Sequence, residues 1–313
     1  MRFGNQLRKM WRGWSSFMDR REPAGALAAF RIAMGVVLIG TVLSVAAVPA
    51  RWPVWLDAAH GGWISQPGSP VMKMLGASQW TVGAMVVLCV VSALLVTLGF
   101  GGRVSAFVAL QSWLALADLN GRAGGAYDEL IANGLWLLVL TSGTQTASMD
   151  AWRRTGQWMP PLSTAPVWGR FLVAFQILLV YGATGLAKVS AHWVPGGDAS
   201  ALYDILQQPT WQRFDASWVA SVYPLTQVAT TTLWIWEFTA PLWGIAWLAS
   251  LTNGGGRWTD IRFLYLGIGL GFHMGTECLL EVGAFGFASL AFYPALLHPA
   301  DWVALRARVF GQR

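Results

Sequence analysis

The chain is 313 residues long, with 55% apolar and only 12% charged residues, about half the charge share usual for a soluble domain. Its mean hydropathy is positive, so a soluble globular class is excluded and the relevant unit is the apolar span of about 20 residues. A net charge of +6 does not indicate nucleic acid, because the cations sit in short loops between apolar runs and form no basic stripe with interleaved aromatics.

In chain order, a basic segment (1–23) precedes the first apolar run, Ala24 to Val48. That run is longer than a signal-peptide core of 7–15 residues. Although Val48-Pro49-Ala50 resembles a cleavage site, the run reads as a retained span. Further spans are expected at 80–99, 104–118, 128–146, 169–188, 224–250, 263–280 and 283–298. The last two are separated only by Glu281-Val282-Gly283. As one helix they would be about 54 Å long against a core of about 30 Å, so a tight hairpin is expected. Pro241, four residues after Glu237, predicts a kink in the sixth span. Tryptophan is abundant, at 20 residues. Trp52, Trp55, Trp63, Trp80, Trp113, Trp152, Trp168, Trp193, Trp218 and Trp302 flank apolar runs, which predicts an interfacial belt. Cys89 and Cys278 supply neither a disulfide framework nor a metal motif and read as buried thiols.

Charge sets the orientation. With the N-terminus inside, eight spans put 15 of the 21 cations on the cytoplasmic side: Arg2, Arg8, Lys9, Arg12, Arg20, Arg21, Arg103, Arg153, Arg154, Arg170, Arg257, Arg262, Arg306, Arg308 and Arg313. Only Arg51, Lys73, Arg122, Lys188 and Arg213 fall outside, and Arg31 lies within the first span. This is the positive-inside pattern. The expected fold is therefore all-α: a polytopic integral membrane bundle of about eight transmembrane helices, N-in and C-in. It divides into a basic cytoplasmic segment (1–23), a transmembrane domain (24–302) and a basic cytoplasmic tail (303–313). Two longer outer loops, about 49–79 and 189–223, lie on the outer face.

An ionisable group at membrane depth is costly and needs a reason. Arg31 either snorkels to the cytoplasmic interface or pairs with an internal acid. Asp118, Arg122, Asp128 and Glu129 cluster at the outer end of the third and fourth spans. Glu237 is expected to face the bundle interior. His273, Glu277 and Glu281 repeat every four residues and so share one helical face. They suit an ion-pair network with Arg31 or Arg122, or a polar pocket; no zinc-like ligand set accompanies them, and no metal is expected. Lys188 ends the fifth span with no acid within four residues on either side. It is either a snorkelling interfacial lysine or a partly desolvated amine able to act as a base.

Several blocks, in order along the chain, are similar to the horizontally transferred transmembrane (HTTM) domain, whose bacterial members are relatives of vitamin K-dependent gamma-carboxylase. They are Leu27-Ala28-Ala29-Phe30-Arg31-Ile32-Ala33-Met34-Gly35; Ser148-Met149-Asp150-Ala151-Trp152-Arg153; Gly182 to Gly196, with Lys188 and Trp193; and Phe272-His273 followed by Gly283-Ala284-Phe285 and Pro299. The resemblance covers about 24–302. It implies that Lys188 is a catalytic base meeting a reduced, vitamin K-like quinone at the outer face, and that His273 is a second catalytic residue. Glu237, Glu277, Glu281, Arg31, Arg122 and Asp128 would shape or brace the pocket. A carboxylase of this kind joins carbon dioxide to a peptide glutamate, coupled to quinol oxidation. The expected partners are the lipid bilayer and a secreted peptide or protein, and the expected location is a bacterial inner membrane. The chain departs from the carboxylase in two respects. Asn120 to Asp128 contains no histidine where the carboxylase has its second one, and no counterpart of its large lumenal domain is expected. A shared fold does not fix an activity. A non-catalytic membrane factor for maturation or export of a secreted peptide therefore stands beside the enzyme reading, and a small-solute transporter behind both.

Overall fold

The structure, a computed structural model, describes residues 2–48, 51–62, 69–161, 163–252 and 258–310. Pro49, Ala50, Trp63, Arg257 and Arg313, each invoked above, lie outside the described residues, as do the side chains of Arg2 and Arg306. The chain divides into two compact units, residues 1–173 with 297–313, and residues 174–296.

The first unit opens with α1 (Arg2–Met18), the short strand β1 (Arg21–Pro23) and α2 (Gly25–Ala46). Two short helices follow, α3 (Arg51–Leu56) and α4 (Pro70–Leu75). Then come α5 (Gln79–Leu98), α6 (Gly102–Ala117), α7 (Ala126–Thr141), the short α8 (Met149–Thr155), the strand β2 (Thr164–Pro166) and the start of α9 (Val167–Ala187). Helices α2, α5, α6 and α7 pack in a closed ring around Phe30, Met34, Leu38, Leu110, Ile131 and Leu135, all fully buried. Ser78 starts α5 with a reciprocal capping box to Thr81, which satisfies two otherwise orphan donors.

The expected all-α fold needs one small correction. β1 and β2 pair antiparallel, with Glu22 opposite Ala165, and tie the chain before α2 to the chain before α9. Beside this pair Arg170 Nε and Nη2 donate to Glu22 Oε1 and Oε2 (2.7 and 2.8 Å), and its Nη1 donates to the Leu297 carbonyl (3.1 Å). Arg170, expected as a loop cation, is buried.

The second unit holds the rest of α9, then α10 (Ala201–Gln207), α11 (Tyr223–Phe238), α12 (Ala240–Thr252), α13 (Trp258–Leu279), α14 (Phe285–Leu290) and a 3₁₀ turn, Tyr293–Leu296. The predicted kink is a break at Thr239, between α11 and α12. After α13 the chain turns at 280–284 and α14 packs back on α13. The returning limb is a six-residue helix and a 3₁₀ turn in place of one continuous span. The chain then re-enters the first unit as α15 (Pro299–Phe310), whose Trp302 packs on Gly25.

Three of these helices are long and apolar enough to cross a membrane: Gly25–Ala46, Gln79–Leu98 and Val167–Ala187. α6 and α7 are less apolar and have 16 residues each, about 24 Å of helix. Apolar runs here do not imply burial within the protein. On α5, Trp80, Val87 and Val91 are exposed, as expected where lipid is the solvent. For the same reason Cys278 is exposed, against the expectation of two buried thiols, whereas Cys89 is buried. The aromatic belt divides similarly. Trp80, Trp152 and Trp218 are exposed, but Trp55 and Trp113 are core residues. The Trp113 Nε1–H finds a protein acceptor in the Asp128 carbonyl (3.3 Å), as buried indoles require.

Candidate functional site

Two small residues one turn apart position the site in the second unit. A Cβ on Gly185 would lie 2.5 Å from the Phe238 nitrogen and 2.7 Å from the Glu237 carbonyl carbon, and one on Gly182 would crowd Pro241. α9 therefore crosses α11 and α12 at their break with backbones nearly touching, which only glycine permits. Next along the same face comes Lys188, whose Nζ donates to Glu237 Oε1 (2.9 Å) and Oε2 (2.6 Å). Glu237 is almost completely buried, and the Lys188 side chain is 25% exposed. The indole of Trp193 lies 4.5 Å from the Lys188 ammonium, a cation–π contact that covers its open side.

The loop carrying Trp193 is held by its own polar ring. His192 Nδ1 meets Ser200 Oγ (2.8 Å) and Asp198 (3.2 Å), and Ser200 Oγ donates to Asp204 (2.6 Å). Gly197 packs against the Ala191 carbonyl with no room for a side chain. Lys188 thus gains an acid partner 49 residues away, which the local sequence did not contain.

Deeper on α9, two turns before Lys188, Tyr181 is buried. Its hydroxyl lies 2.7 Å from His273 Nε2 and 3.3 Å from the Tyr293 hydroxyl. His273 is fully buried in a cage of rings from Trp236, Phe272, Phe285 and Tyr293, besides Tyr181. Its Nδ1 has no hydrogen-bond partner among the described residues. Trp236 is a shared wall, since its ring is 4.5 Å from Tyr181 and it precedes Glu237 in the chain.

The hairpin of α13 and α14 sets the other two members of the four-residue stripe. Glu277 Oε1 accepts the Gly286 N–H (2.6 Å) at the start of α14, where an acid complements the helix dipole. A side chain on Gly286 would strike Glu277 and the His273 carbonyl. Glu281 lies at the rim, 3.2 Å from Arg213, both well exposed. One stripe therefore performs three separate tasks: His273 joins the tyrosines, Glu277 closes the hairpin, and Glu281 fastens the loop that carries Arg213.

Arg31, Arg122 and Asp128 belong to the first unit. Arg31 is buried and gives its guanidinium to backbone carbonyls alone: Nε to Gly143 (3.1 Å), Nη1 to Val96 (2.7 Å) and Thr97 (2.8 Å), and Nη2 to Ala147. It neutralises the carbonyl end of α5 and pins the loop between α7 and α8. Arg122 is exposed. Asp128 is half-buried and caps α7 by accepting the Gly125 N–H (3.0 Å).

Sequence reasoning did not single out Tyr181, Thr184, Trp236 or Tyr293. For Tyr181 a signal existed, because Tyr181, Thr184 and Lys188 follow the three- and four-residue steps of one helical face. For Tyr293 none existed, because its place depends on the hairpin. Among the described residues no group of three or more His, Cys, Asp or Glu is arranged to hold a metal ion. The arrangement can accept a proton at a carboxylate–ammonium pair and hold a second polar group at His273. The family model of the HTTM domain matches residues 19–302. No curated protein and no solved structure matches the chain.

Proposed function

The chain belongs to the HTTM domain family and is a membrane protein, and we propose that it is a carboxylase-like enzyme using a reduced quinone at the outer face of the cell membrane. The observation that carries this reading is the partly desolvated Lys188–Glu237 pair under Trp193. Such a pair is neutral as a unit, and away from bulk water its two charges interact strongly. A weakly acidic hydroxyl placed against it gives its proton to the Glu237 carboxylate, and the Lys188 ammonium holds the anion that remains. Net charge in the site is unchanged. The expected base, Lys188, then acts with Glu237 as a single basic unit. His273, held by Tyr181 through Nε2, offers its free Nδ1 to a second polar group of the substrate.

A reduced quinone, when bound, supplies electrons for oxygen and, by resemblance to the carboxylase, the chemistry that removes a glutamate γ proton from a secreted peptide. An apolar cavity of about 290 Å³ suits the lipid-like body of such a molecule. It is lined by Leu202 and Leu206 of α10, by Leu233 of α11, which also carries Glu237, and by Phe272 and Leu279 of α13, which also carries His273.

The eight-span, N-in and C-in arrangement in a bacterial inner membrane belongs to the same proposal. Its support lies in the first unit. The start of α2, the start of α9 and the start of α15 meet at one face through Arg170, Glu22 and the Trp302–Gly25 contact. An even number of crossings separates positions on one face. The second reading, a non-catalytic factor for maturation or export of a secreted peptide, is favoured by one observation. Asn120 to Asp128 lacks a histidine, and the Asn120 amide is engaged with the Val54 carbonyl (2.7 Å).

The deciding experiment is oxygen-dependent oxidation of a reduced quinone by the purified protein, with and without glutamate-containing peptides. Loss of a general base costs about 10²–10⁴-fold in rate. Lys188→Ala and Glu237→Gln are each expected to fall by roughly that factor. Equal background rates in all three proteins would remove the quinol-based reading and leave the factor.

A further inference from the structure

The basic segment before the first span folds as a two-faced helix. In α1 the apolar residues Phe3, Leu7, Met10, Trp11, Trp14, Phe17 and Met18 recur at steps of three and four, which places them on one stripe. Arg8, Lys9 and Arg12 occupy the opposite arc, and residues 2–18 contain no acid. Only the C-terminal end of the stripe is covered. Phe17 and Met18 are buried, and Trp14 meets the Phe171 ring edge-on at 5.4 Å. The rest is open: Leu7 is 50% exposed, and Met10 and Trp11 are each 70% exposed. A helix with strong sidedness, a basic polar arc and tryptophan in its apolar stripe, yet low average hydrophobicity, lies in the plane of a bilayer surface.

We propose that α1 is an in-plane anchor that docks on the anionic headgroups of the leaflet beside the start of α2. Three observations select a lipid leaflet over a protein groove. Charge complementarity is one-signed along the whole helix. The docked end is fixed by Phe171 at the first turns of α9, and the span Gly25–Ala46 begins seven residues after α1 ends, so the open stripe is delivered where a bilayer must begin. The exposed residues are also of the types that bury at the headgroup boundary. The cations flank the stripe at the level where anionic headgroups lie.

The test is hydrogen–deuterium exchange of the full chain in nanodiscs of neutral lipid and in nanodiscs containing anionic lipid. Each cation near an anionic leaflet strengthens binding roughly fivefold. Amides over residues 7–14 are therefore expected to exchange at least about tenfold more slowly in anionic discs. That difference should vanish in the triple variant Arg8→Glu, Lys9→Glu, Arg12→Glu, and should shrink in high salt. A second variant, Leu7→Ser with Trp11→Ser, should lose protection in both lipids while the exchange of α2 and α5 stays unchanged, which separates lost docking from lost folding. Equal protection in both lipids, or protection that survives charge reversal, would overturn the proposal. So would protection that appears only with two copies per disc, which would assign the stripe to a second chain.

Discussion

Arg31 shows how a buried charge can be held by backbone carbonyls, with no carboxylate hydrogen-bonded to it among the described residues. Its four described hydrogen bonds end on backbone carbonyls, and two residues beside those carbonyls, Ser142 and Ala147, sit at positive φ (61° and 47°), a conformation that costs side-chain-bearing residues about 1–3 kcal/mol. The guanidinium offsets that strain. Opposite it, Gly99 (φ 67°) leaves no space for a side chain between Arg31 and Ser148. Arg31→Ala is expected to destabilise the fold, by about 1–3 kcal/mol for each buried carbonyl left without a donor. Arg31→Lys should recover only part, since an ammonium cannot reproduce the planar fork. Unfolding midpoints in detergent, followed by tryptophan fluorescence, measure both. The sequence announced Arg31 as a problem but not its solution, because carbonyl acceptors carry no side-chain signature. Lys188 was legible in the same limited way. Its place at the end of a span and its surrounding block marked it, while Glu237 became its partner only through a helix crossing.

Helix crossings are where the elements acquire their chemistry. The close approach of α9 to the α11–α12 break depends on Gly185, whereas Gly267 on α13 faces open space. Gly185→Ala is expected to cost about 1–3 kcal/mol through overpacking and to part Lys188 from Glu237. Gly267→Ala should be neutral or stabilising by up to about 1 kcal/mol through helix propensity. Thermal unfolding of the two variants side by side tests this, and similar losses in both would contradict the crossing. At this scale the apolar runs located nearly every long helix, and Pro241 marked the break at Thr239. Length was less legible. The run at 104–118 became a helix of nearly its expected length, but the run at 128–146 shortened to 16 residues, and the eighth became a short helix with a 3₁₀ turn. Apolar composition records the solvent of a segment, not how far its backbone stays helical. The strand pair and the sidedness of α1 were missed because the segment 1–23 was read for its charge alone.

At the scale of the molecule, the first unit gathers the beginnings of α2, α9 and α15. If the proposed topology holds, alkaline phosphatase fused after Gln208 should be active outside the membrane. The same enzyme fused after Gly156 or at the C-terminus should be inactive, and a fluorescent protein at the C-terminus should fold in the cytoplasm. Phosphatase activity at the C-terminus would require an odd number of crossings and would refute the arrangement. The proposed orientation rests on the charge asymmetry of the sequence. That asymmetry did not reveal that Arg170, counted among the loop cations, is the knot joining those beginnings. Its acceptors lie 148 residues earlier, at Glu22, and 127 residues later, at Leu297. During synthesis the first four-helix ring must therefore wait with its entrance untied until α9 arrives. The bond from Arg170 to the Leu297 carbonyl cannot form until translation has passed Leu297. The biogenesis of this protein is thus closed from its far end: a ribosome that stalls inside the second unit leaves the first one inserted but unsealed.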